Sequence, residues 1–158
     1  MKLTMPGAVT RRRQHGLAAV ELALILPILL VMLTMPLFVS IYFWHYTAAQ
    51  KAAQNAARYL STISVQEMRA ANLAVAAEAT ATQIAVAQVA ELNLAAALPV
   101  VEVYCARIRC SGVGSRPLPQ TVFVSVRMDM FDNIFHSVNA GRYGLPITVE
   151  VELPYVGN

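Results

Sequence analysis

The sequence predicts an α+β protein: a long membrane-spanning helix, a second alanine-rich helix and a small three-stranded antiparallel sheet. Three observations support this fold class. The run from Leu22 to Trp44 is apolar and contains no charged residue. An alanine-rich segment follows it, and three short segments nearer the C-terminus alternate apolar with polar residues. We therefore expect a leader at 1–16, a transmembrane helix with an outward extension at 17–60, and a small domain at 61–158.

The apolar run is long enough to cross a bilayer. A hydrocarbon core is about 30 Å thick, and a helix that rises about 1.5 Å per residue spans it with about 20 residues. Pro27 and Pro36 lie inside the run, which membrane helices tolerate because local adjustments satisfy the freed carbonyls. A secretory signal would have a shorter apolar region and a small-residue cleavage site, so the sequence favours a membrane anchor over that alternative.

Aromatic side chains cluster where the apolar run ends, at Tyr42, Trp44 and Tyr46, with His45 among them. Such a cluster is typical of the belt that anchors a helix at headgroup level. His45 could instead be a metal ligand or a base, but no other His, Cys or acidic residue lies near it in sequence. We therefore expect His45 to anchor the helix at the membrane interface.

Basic residues precede the apolar run. Arg11, Arg12 and Arg13, with Lys2, lie before it, whereas all nine acidic residues follow Arg13. Lys and Arg beside a membrane helix mark its cytoplasmic side, so we expect the rest of the chain after Trp44 in the periplasm. A basic cluster can also bind nucleic acid, but its place beside the apolar run favours the topological interpretation.

The remaining chain has the patterns of one helix and three strands. Residues Ser64–Glu67 fit a capping box, which predicts a second helix from Val65 to about Leu98, ended by Pro99. Alternating residues then predict strands at Val101–Ile108, Thr121–Met130 and Ile147–Leu153. The apolar faces of these strands, such as Val124 and Val126, should pack under the helix, and Ser125, Arg127 and Asp129 should face solvent.

Two cysteines, Cys105 and Cys110, lie on the exported side of the predicted membrane helix. An oxidising compartment permits a disulfide between them. Five residues of extended strand span about 16 Å, yet a disulfide needs Cα atoms within about 7 Å. A bridge therefore requires the chain to turn within 106–109, and the first strand should then end near Cys105.

The sequence shows no pattern that would hold a metal or cofactor or support catalysis. No glycine-rich nucleotide loop follows a strand into a helix. The histidines are far apart, at His15, His45 and His136. Neighbouring carboxylates occur only at Asp129 and Asp132 and at Glu150 and Glu152, where solvated charge is the favoured interpretation. We expect no enzyme activity, no cofactor and no nucleic-acid partner.

Gly16 and Glu21 are the residues whose spacing suggests a specific function. If the chain is cut between Gly16 and Leu17, the new α-amino group and Glu21 lie four residues apart on one helical face. The carboxylate could then neutralise the amino group of its own chain or of a neighbouring subunit, because two charges that are costly alone in lipid form a pair. The alternative is that Glu21 lies at the interface, or pairs with Arg13.

Basic residues, Gly16, four residues, Glu21 and a long apolar helix resemble the type IV pilins and pseudopilins cut by a prepilin peptidase. More narrowly, RRRQHGLAAVELALILPILLVML with the later QNAAR, Gln54–Arg58, resembles the TadE-like minor pilins of tight-adherence pilus systems. Their relatives called TadF share the motif.

The resemblance implies a minor pilin or pseudopilin that helps to assemble a Flp-type pilus, cleaved after Gly16. It implies three kinds of partner: a prepilin peptidase, sibling Tad/Flp pilins and the inner-membrane assembly platform. It also implies a single-pass protein of the bacterial inner membrane, with possible incorporation into the pilus. The alternative function is a non-polymerising periplasmic scaffold anchored in the inner membrane.

Overall fold

A computed structural model describes residues 14–92, 98–110, 117–131 and 144–157. The helices are α1 (Gln14–Thr62), α2 (Val65–Arg69) and α3 (Ala71–Ala90), and the strands are β1 (Val100–Cys105), β2 (Ile108–Arg109), β3 (Thr121–Met130) and β4 (Leu145–Pro154). The chain divides into two compact units, Met1–Ser40 and Ile41–Asn158. The α+β class and the long N-terminal helix are confirmed.

Helix α1 is longer at both ends than the sequence predicts. It begins at Gln14, three residues before Leu17, and ends at Thr62 instead of about Leu60. The early start follows from composition, because Gln14 and His15 carry no helix-breaking feature and Gly16 weakens a helix by only about 1 kcal/mol relative to alanine. Pro27 and Pro36 lie within it.

The first unit presents apolar side chains all around its helix. Fourteen large apolar side chains between Val20 and Val39 are exposed. A helix that is apolar on every side is typical of a membrane span or of the core of a large protein. The segment Ala18–Thr62 has a window of mean hydropathy 2.7 that is 0% buried within the protein, which favours a membrane anchor.

In the second unit, α1 buries one face with small side chains. The buried stripe comprises Ala49, Ala52, Ala53, Ala56, Ala57 and Leu60. Spacings of three and four residues place these positions on one side of a helix. Because alanine has almost no side chain, another element can approach this face closely. Asn55 marks one edge of the stripe and donates a hydrogen bond from Nδ2 to Gln88 Oε1 of α3, at 3.1 Å.

The predicted second helix is two helices. The capping box is confirmed: Ser64 accepts a hydrogen bond from the Glu67 amide, and the Glu67 carboxylate accepts one from the Ser64 amide. The prediction of one helix to Leu98 is wrong, because Ala70 adopts an extended conformation, with φ −81° and ψ 112°, between α2 and α3. Alanine repeats give no signal for such a break. Helix α3 ends at Ala90.

Helix α3 also has the length and composition of a membrane span, with a mean hydropathy of 1.3. It buries a stripe of its own, however, at Ala74, Ala77, Ala81, Ala85 and Val89. The stripe repeats every three to four residues, so α3 packs one face into the domain. Contact with β1 places the helix beside the sheet. We therefore interpret α3 as a packed helix of the domain.

The sheet has four antiparallel strands in the order β2-β1-β3-β4, so the prediction of three is wrong by one short strand. The extra strand, β2, pairs with the end of β1 through Tyr104–Arg109 and Cys105–Ile108. The sequence patterns placed Ile108 in the first strand, whereas the chain turns back at Ala106 and Arg107. Strand β3 is Thr121–Met130 as predicted.

One sheet face forms the core of the domain. The buried side chains of β3 are the predicted apolar ones, Val122, Val124, Val126, Met128 and Met130. The register sets them beside the apolar residues of β1 and β4. Exposed Glu150 and Glu152 lie on the opposite face as predicted. Ser125 lies on that face too, but it is buried instead of solvated.

The C-terminal residues hold the end of α1 to the rest of the domain. The amides of Val156 and Gly157 donate to the Ser61 carbonyl, at 3.0 and 3.3 Å. The Tyr155 hydroxyl donates to the Ile63 carbonyl at 2.9 Å. The Ser61 carbonyl lies in the last turn of α1 and the Ile63 carbonyl directly after it, where no helical amide remains to bond them. Burial is the main cause that raises the pKa of Tyr155 above 10.0, and the negative charge of Glu67 raises it further.

We predict that Tyr155→Phe lowers the free energy of unfolding by about 1 kcal/mol, because it removes one hydrogen bond. A folded pKa above the unfolded value of about 10 means that wild-type stability is full below pH 10 and falls as the pH rises through the folded pKa. Tyr155→Phe should reduce that fall. Urea unfolding of the full-length protein in micelles, followed by near-UV circular dichroism, measures both effects.

The matched control is Tyr104→Phe, whose hydroxyl donates to Glu102 at an exposed position. It should change stability by less than Tyr155→Phe, because exposed hydrogen bonds are exchanged for bonds to water. Equal effects of the two substitutions would contradict the assigned role of Tyr155.

Candidate functional site

The predicted cleavage position lies within α1, close to the first residue that the structure describes. The helix begins at Gln14, so the bond between Gly16 and Leu17 is part of helical backbone. A Cβ atom added at Gly16 would meet nothing within 4 Å, so glycine is not required there for packing within this chain. The predicted topology residues Arg11, Arg12 and Arg13 lie outside the described residues.

Glu21 lies on the exposed surface of the same helix, among apolar neighbours such as Val20 and Leu22. It stands four residues after Leu17, a rise of about 6 Å along the helix. Within the described part of the chain, the Glu21 carboxylate has no hydrogen-bond or ion-pair partner. An unpaired carboxylate is costly in lipid.

Hydroxyl groups in the apolar segment bond to the helix itself. Thr34 Oγ1 donates to the Val31 carbonyl at 3.1 Å, and Ser40 Oγ donates to the Pro36 carbonyl at 2.7 Å. In a bilayer no water replaces a missing partner, so a polar group must be satisfied internally. The local bonding of both hydroxyls therefore suits a lipid-facing helix.

His45 occupies a different environment from the one that the sequence predicts. Only 9% of its surface is exposed, and its ring Nδ1 lies 2.8 Å from the Ile41 carbonyl. A carbonyl can only accept, so Nδ1 carries the proton. Trp44, with 60% of its surface exposed, contacts the ring edge-on. Among the described residues no three His, Cys, Asp or Glu side chains form a potential metal site.

The sequence missed this burial of His45 because the residue lies within an aromatic cluster, which suggested the membrane interface. A periodic signal was present, since His45, Ala49, Ala52 and Ala56 share one helical face. His45 is the first buried residue along α1 among those described. It therefore marks the position at which α1 begins to pack into the domain.

Cys105 and Cys110 are joined as a disulfide, with Cα atoms 4.8 Å apart. Strand β1 ends at Cys105, and a two-residue turn at Ala106 and Arg107 reverses the chain. Both turn residues have positive φ, 50° and 69°, which non-glycine residues adopt rarely. The bridge is buried, and Cys105 Sγ lies 4.0 Å from Sδ of the fully buried Met68 in α2.

The solvent side of the sheet carries two shallow depressions that sequence reasoning missed. One, of about 350 Å³, is lined by Tyr104, Arg107, Thr121, Phe123 and Glu152. The rings of Tyr104 and Phe123 lie 5.9 Å apart in it. The other, of about 420 Å³, contains Glu102, Ser125, Arg127, Thr148 and Glu150. Their residues come from three strands, so only the register reveals these groupings.

The family model described as TadE-like protein matches residues 16–58. The match begins at Gly16, includes Glu21 and the whole apolar run, and ends at Arg58, two residues before Leu60, the last residue of the buried stripe of α1. No curated protein and no solved structure matches the chain.

We predict that the disulfide protects both cysteines from thiol reagents. In protein extracted from membranes without reductant and then denatured, maleimide should label neither Cys105 nor Cys110. After reduction it should label both. Denaturation is needed in both arms, because burial alone would also block labelling of free thiols. Labelling of the unreduced, denatured protein at both positions would contradict the bridge.

Proposed function

We propose that this chain, a member of the TadE-like protein family through residues 16–58, is a minor pilin or pseudopilin that helps to assemble a Flp-type pilus. The family is pilus-associated and structural and is not an enzyme family. The observation that carries the proposal is the position of Gly16 and Glu21 directly before a long, exposed apolar helix. That arrangement fits a membrane subunit with a removable leader.

Three segments have separate tasks in this proposal. Residues 1–16 form a cytoplasmic leader, 17–60 the membrane helix with its periplasmic extension, and 61–158 the periplasmic domain. The basic residues Arg11, Arg12 and Arg13 hold the N-terminus in the cytoplasm. The exposed apolar side chains between Val20 and Val39 support the anchor. A disulfide at Cys105 and Cys110 suits the oxidising periplasm.

A prepilin peptidase removes the leader by hydrolysing the bond between Gly16 and Leu17. A peptidase needs an extended backbone at the bond it cuts, whereas this bond lies in the helical backbone of α1. Local unwinding must therefore precede cleavage. Glycine lowers its cost by about 1 kcal/mol relative to alanine, and the open space around Gly16 leaves room for the enzyme.

Cleavage creates the charge that Glu21 neutralises. Hydrolysis leaves a free α-amino group on Leu17, four residues before the carboxylate on a continuous helix. In the bilayer each of these charges alone is costly, whereas together they form a pair. The pair forms within one chain or between neighbouring subunits. Sibling pilins and the inner-membrane assembly platform are the partners that present such neighbouring helices.

The second candidate is a periplasmic scaffold that keeps its leader and does not polymerise. The continuous helix α1, with one apolar part and one part packed into a domain, suits such an anchor equally well. Cleavage after Gly16 distinguishes the two, because a scaffold needs no free amino group beside Glu21.

We predict that Gly16→Val leaves the leader attached, because a branched side chain at the cut obstructs the approach of the peptidase to the backbone. The ratio of precursor to mature protein, measured by gel shift in cells that carry the pilus system, should rise to nearly complete precursor. Ala18→Val is the matched control: it introduces the same side chain at an exposed position two residues later and should be cleaved. Normal cleavage of Gly16→Val would contradict the proposed cut.

We predict that Glu21→Ala is inserted and cleaved but fails to support surface pili. Insertion should be unharmed, since the substitution removes a charge from lipid, whereas the Leu17 amino group then lacks its partner. Glu21→Asp keeps the charge and should retain part of the piliation seen by electron microscopy. Normal piliation with Glu21→Ala would contradict the pairing role, and loss of cleavage would assign Glu21 to peptidase recognition.

A further inference from the structure

The larger depression on the outer face of the sheet is built around Ser125. Strand register places Ser125 directly opposite Glu102 of β1 on one side and Glu150 of β4 on the other. Neighbouring strands lie about 4.8 Å apart. A short side chain therefore lies between two long acidic ones, which creates a trough across three strands.

The Ser125 hydroxyl is buried without a partner. Only 9% of the residue is exposed, and within the described part of the chain no group hydrogen-bonds to its Oγ. Burying a hydroxyl without a hydrogen bond costs about 1–3 kcal/mol. The hydroxyl lines the depression together with both carboxylates, so a donor entering the trough could bond all three.

The trough favours a positively charged occupant. Glu102, Asp129 and Glu150 contribute three carboxylates to its lining, and Arg127 contributes one cation. Arg127 is exposed and makes no ion pair with the carboxylates of the described residues. A cation from another molecule can therefore reach Glu102 and Glu150 without displacing an existing pair.

Matching cations lie on helix α1 of the same protein. Lys51 and Arg58 are exposed, on the side of α1 away from its buried stripe, and neither side chain has a hydrogen-bond or ion-pair partner among the described residues. They stand seven residues, or two turns, apart, which is about 10.5 Å along a helix. Glu102 and Glu150 stand two strand spacings apart, about 9.6 Å.

We propose that the outer face of the sheet binds helix α1 of a second copy of this chain, with Lys51 and Arg58 paired to Glu102 and Glu150 over the Ser125 hydroxyl. Helix and trough are different surfaces of one protein, so the contact is head-to-tail and can repeat from copy to copy. This inference deepens the proposed function, because a pilus subunit must bind further subunits.

The test uses charge reversal in the full-length protein in detergent micelles. The helix variant is Lys51→Glu/Arg58→Glu, and the trough variant is Glu102→Arg/Glu150→Arg. Association is measured by energy transfer between copies that carry different dyes at the C-terminus. Circular dichroism and the intact disulfide check that each variant is folded. Glu91 lies at an exposed position on the C-terminal side of α3. Glu91→Arg is therefore the control for the effect of a single charge reversal such as Glu150→Arg.

Each double variant should self-associate at least about tenfold more weakly than the wild type, since two pairs become repulsive. A mixture of the two variants should associate, because the mixture still contains one native helix face and one native trough. A chain with all four reversals should recover self-association. Rising salt should weaken wild-type association, because exposed charges are screened.

The proposal is overturned if the wild type does not self-associate, if either double variant associates as the wild type does, or if the mixture fails while both variants are folded. A trough that binds only a different protein gives the first of these results. The measurement needs neither peptidase nor pilus, so its failure leaves the proposed cleavage and pilin role standing, and their failure leaves this contact standing.

Discussion

A helix with large apolar side chains on every side is unstable in water, and this constraint determines where the first part of α1 can lie. From Leu22 to Trp44 helix α1 has no charge, and its large apolar side chains are exposed. Exposed apolar surface costs about 25 cal/mol per Å² in water. The free-energy cost of exposing so many apolar side chains would therefore exceed the free energy of unfolding of a small domain. A lipid environment removes that cost. Polar groups on the segment must then be satisfied, and the hydroxyls of Thr34 and Ser40 are satisfied by carbonyls of the helix itself.

The same helix also packs into the domain, because the side chains on one of its faces become small. After His45 one face of α1 carries alanines, and the domain packs against it at short range. The C-terminal residues Tyr155–Gly157 donate hydrogen bonds to carbonyls at the C-terminal end of the helix, those of Ser61 and Ile63. The buried disulfide packs against Met68, so the α2 corner and the β1 turn are held together. Among the described residues, the outer face of the sheet carries mainly exposed or half-buried side chains, with Ser125 buried between them.

The sequence predicted the structure well wherever its residue types follow a clear pattern. The apolar run, the capping box at Ser64 and the alternation of β3 each follow from local chemistry that tertiary contacts reinforce. The break at Ala70 could not be predicted from the sequence. Neighbouring alanines provide no local signal that distinguishes an extended residue from a helical one. The β2 hairpin was missed because Ala106 and Arg107 are not residues that favour positive φ. The requirement for a turn between Cys105 and Cys110 nevertheless located it.

Burial of individual polar residues was the least predictable feature. Ser125 occupies a strand position that alternation assigns to solvent, but neighbours on two strands cover it. His45 lies within an aromatic cluster, yet it packs into the domain. For the candidate site, the functions of Gly16 and Glu21 stay predictions from the sequence, whereas the trough depends on pairing between distant strands, which no local pattern encodes.

The central claim is that this protein is a processed pilus subunit. Mass spectrometry of the N-terminus of the protein, extracted from membranes of cells that express the pilus system, tests it most directly. The account predicts that the N-terminal peptide begins at Leu17 and that peptides of the leader are absent. A mature protein that retains the residues before Leu17, or begins at another position, would contradict it.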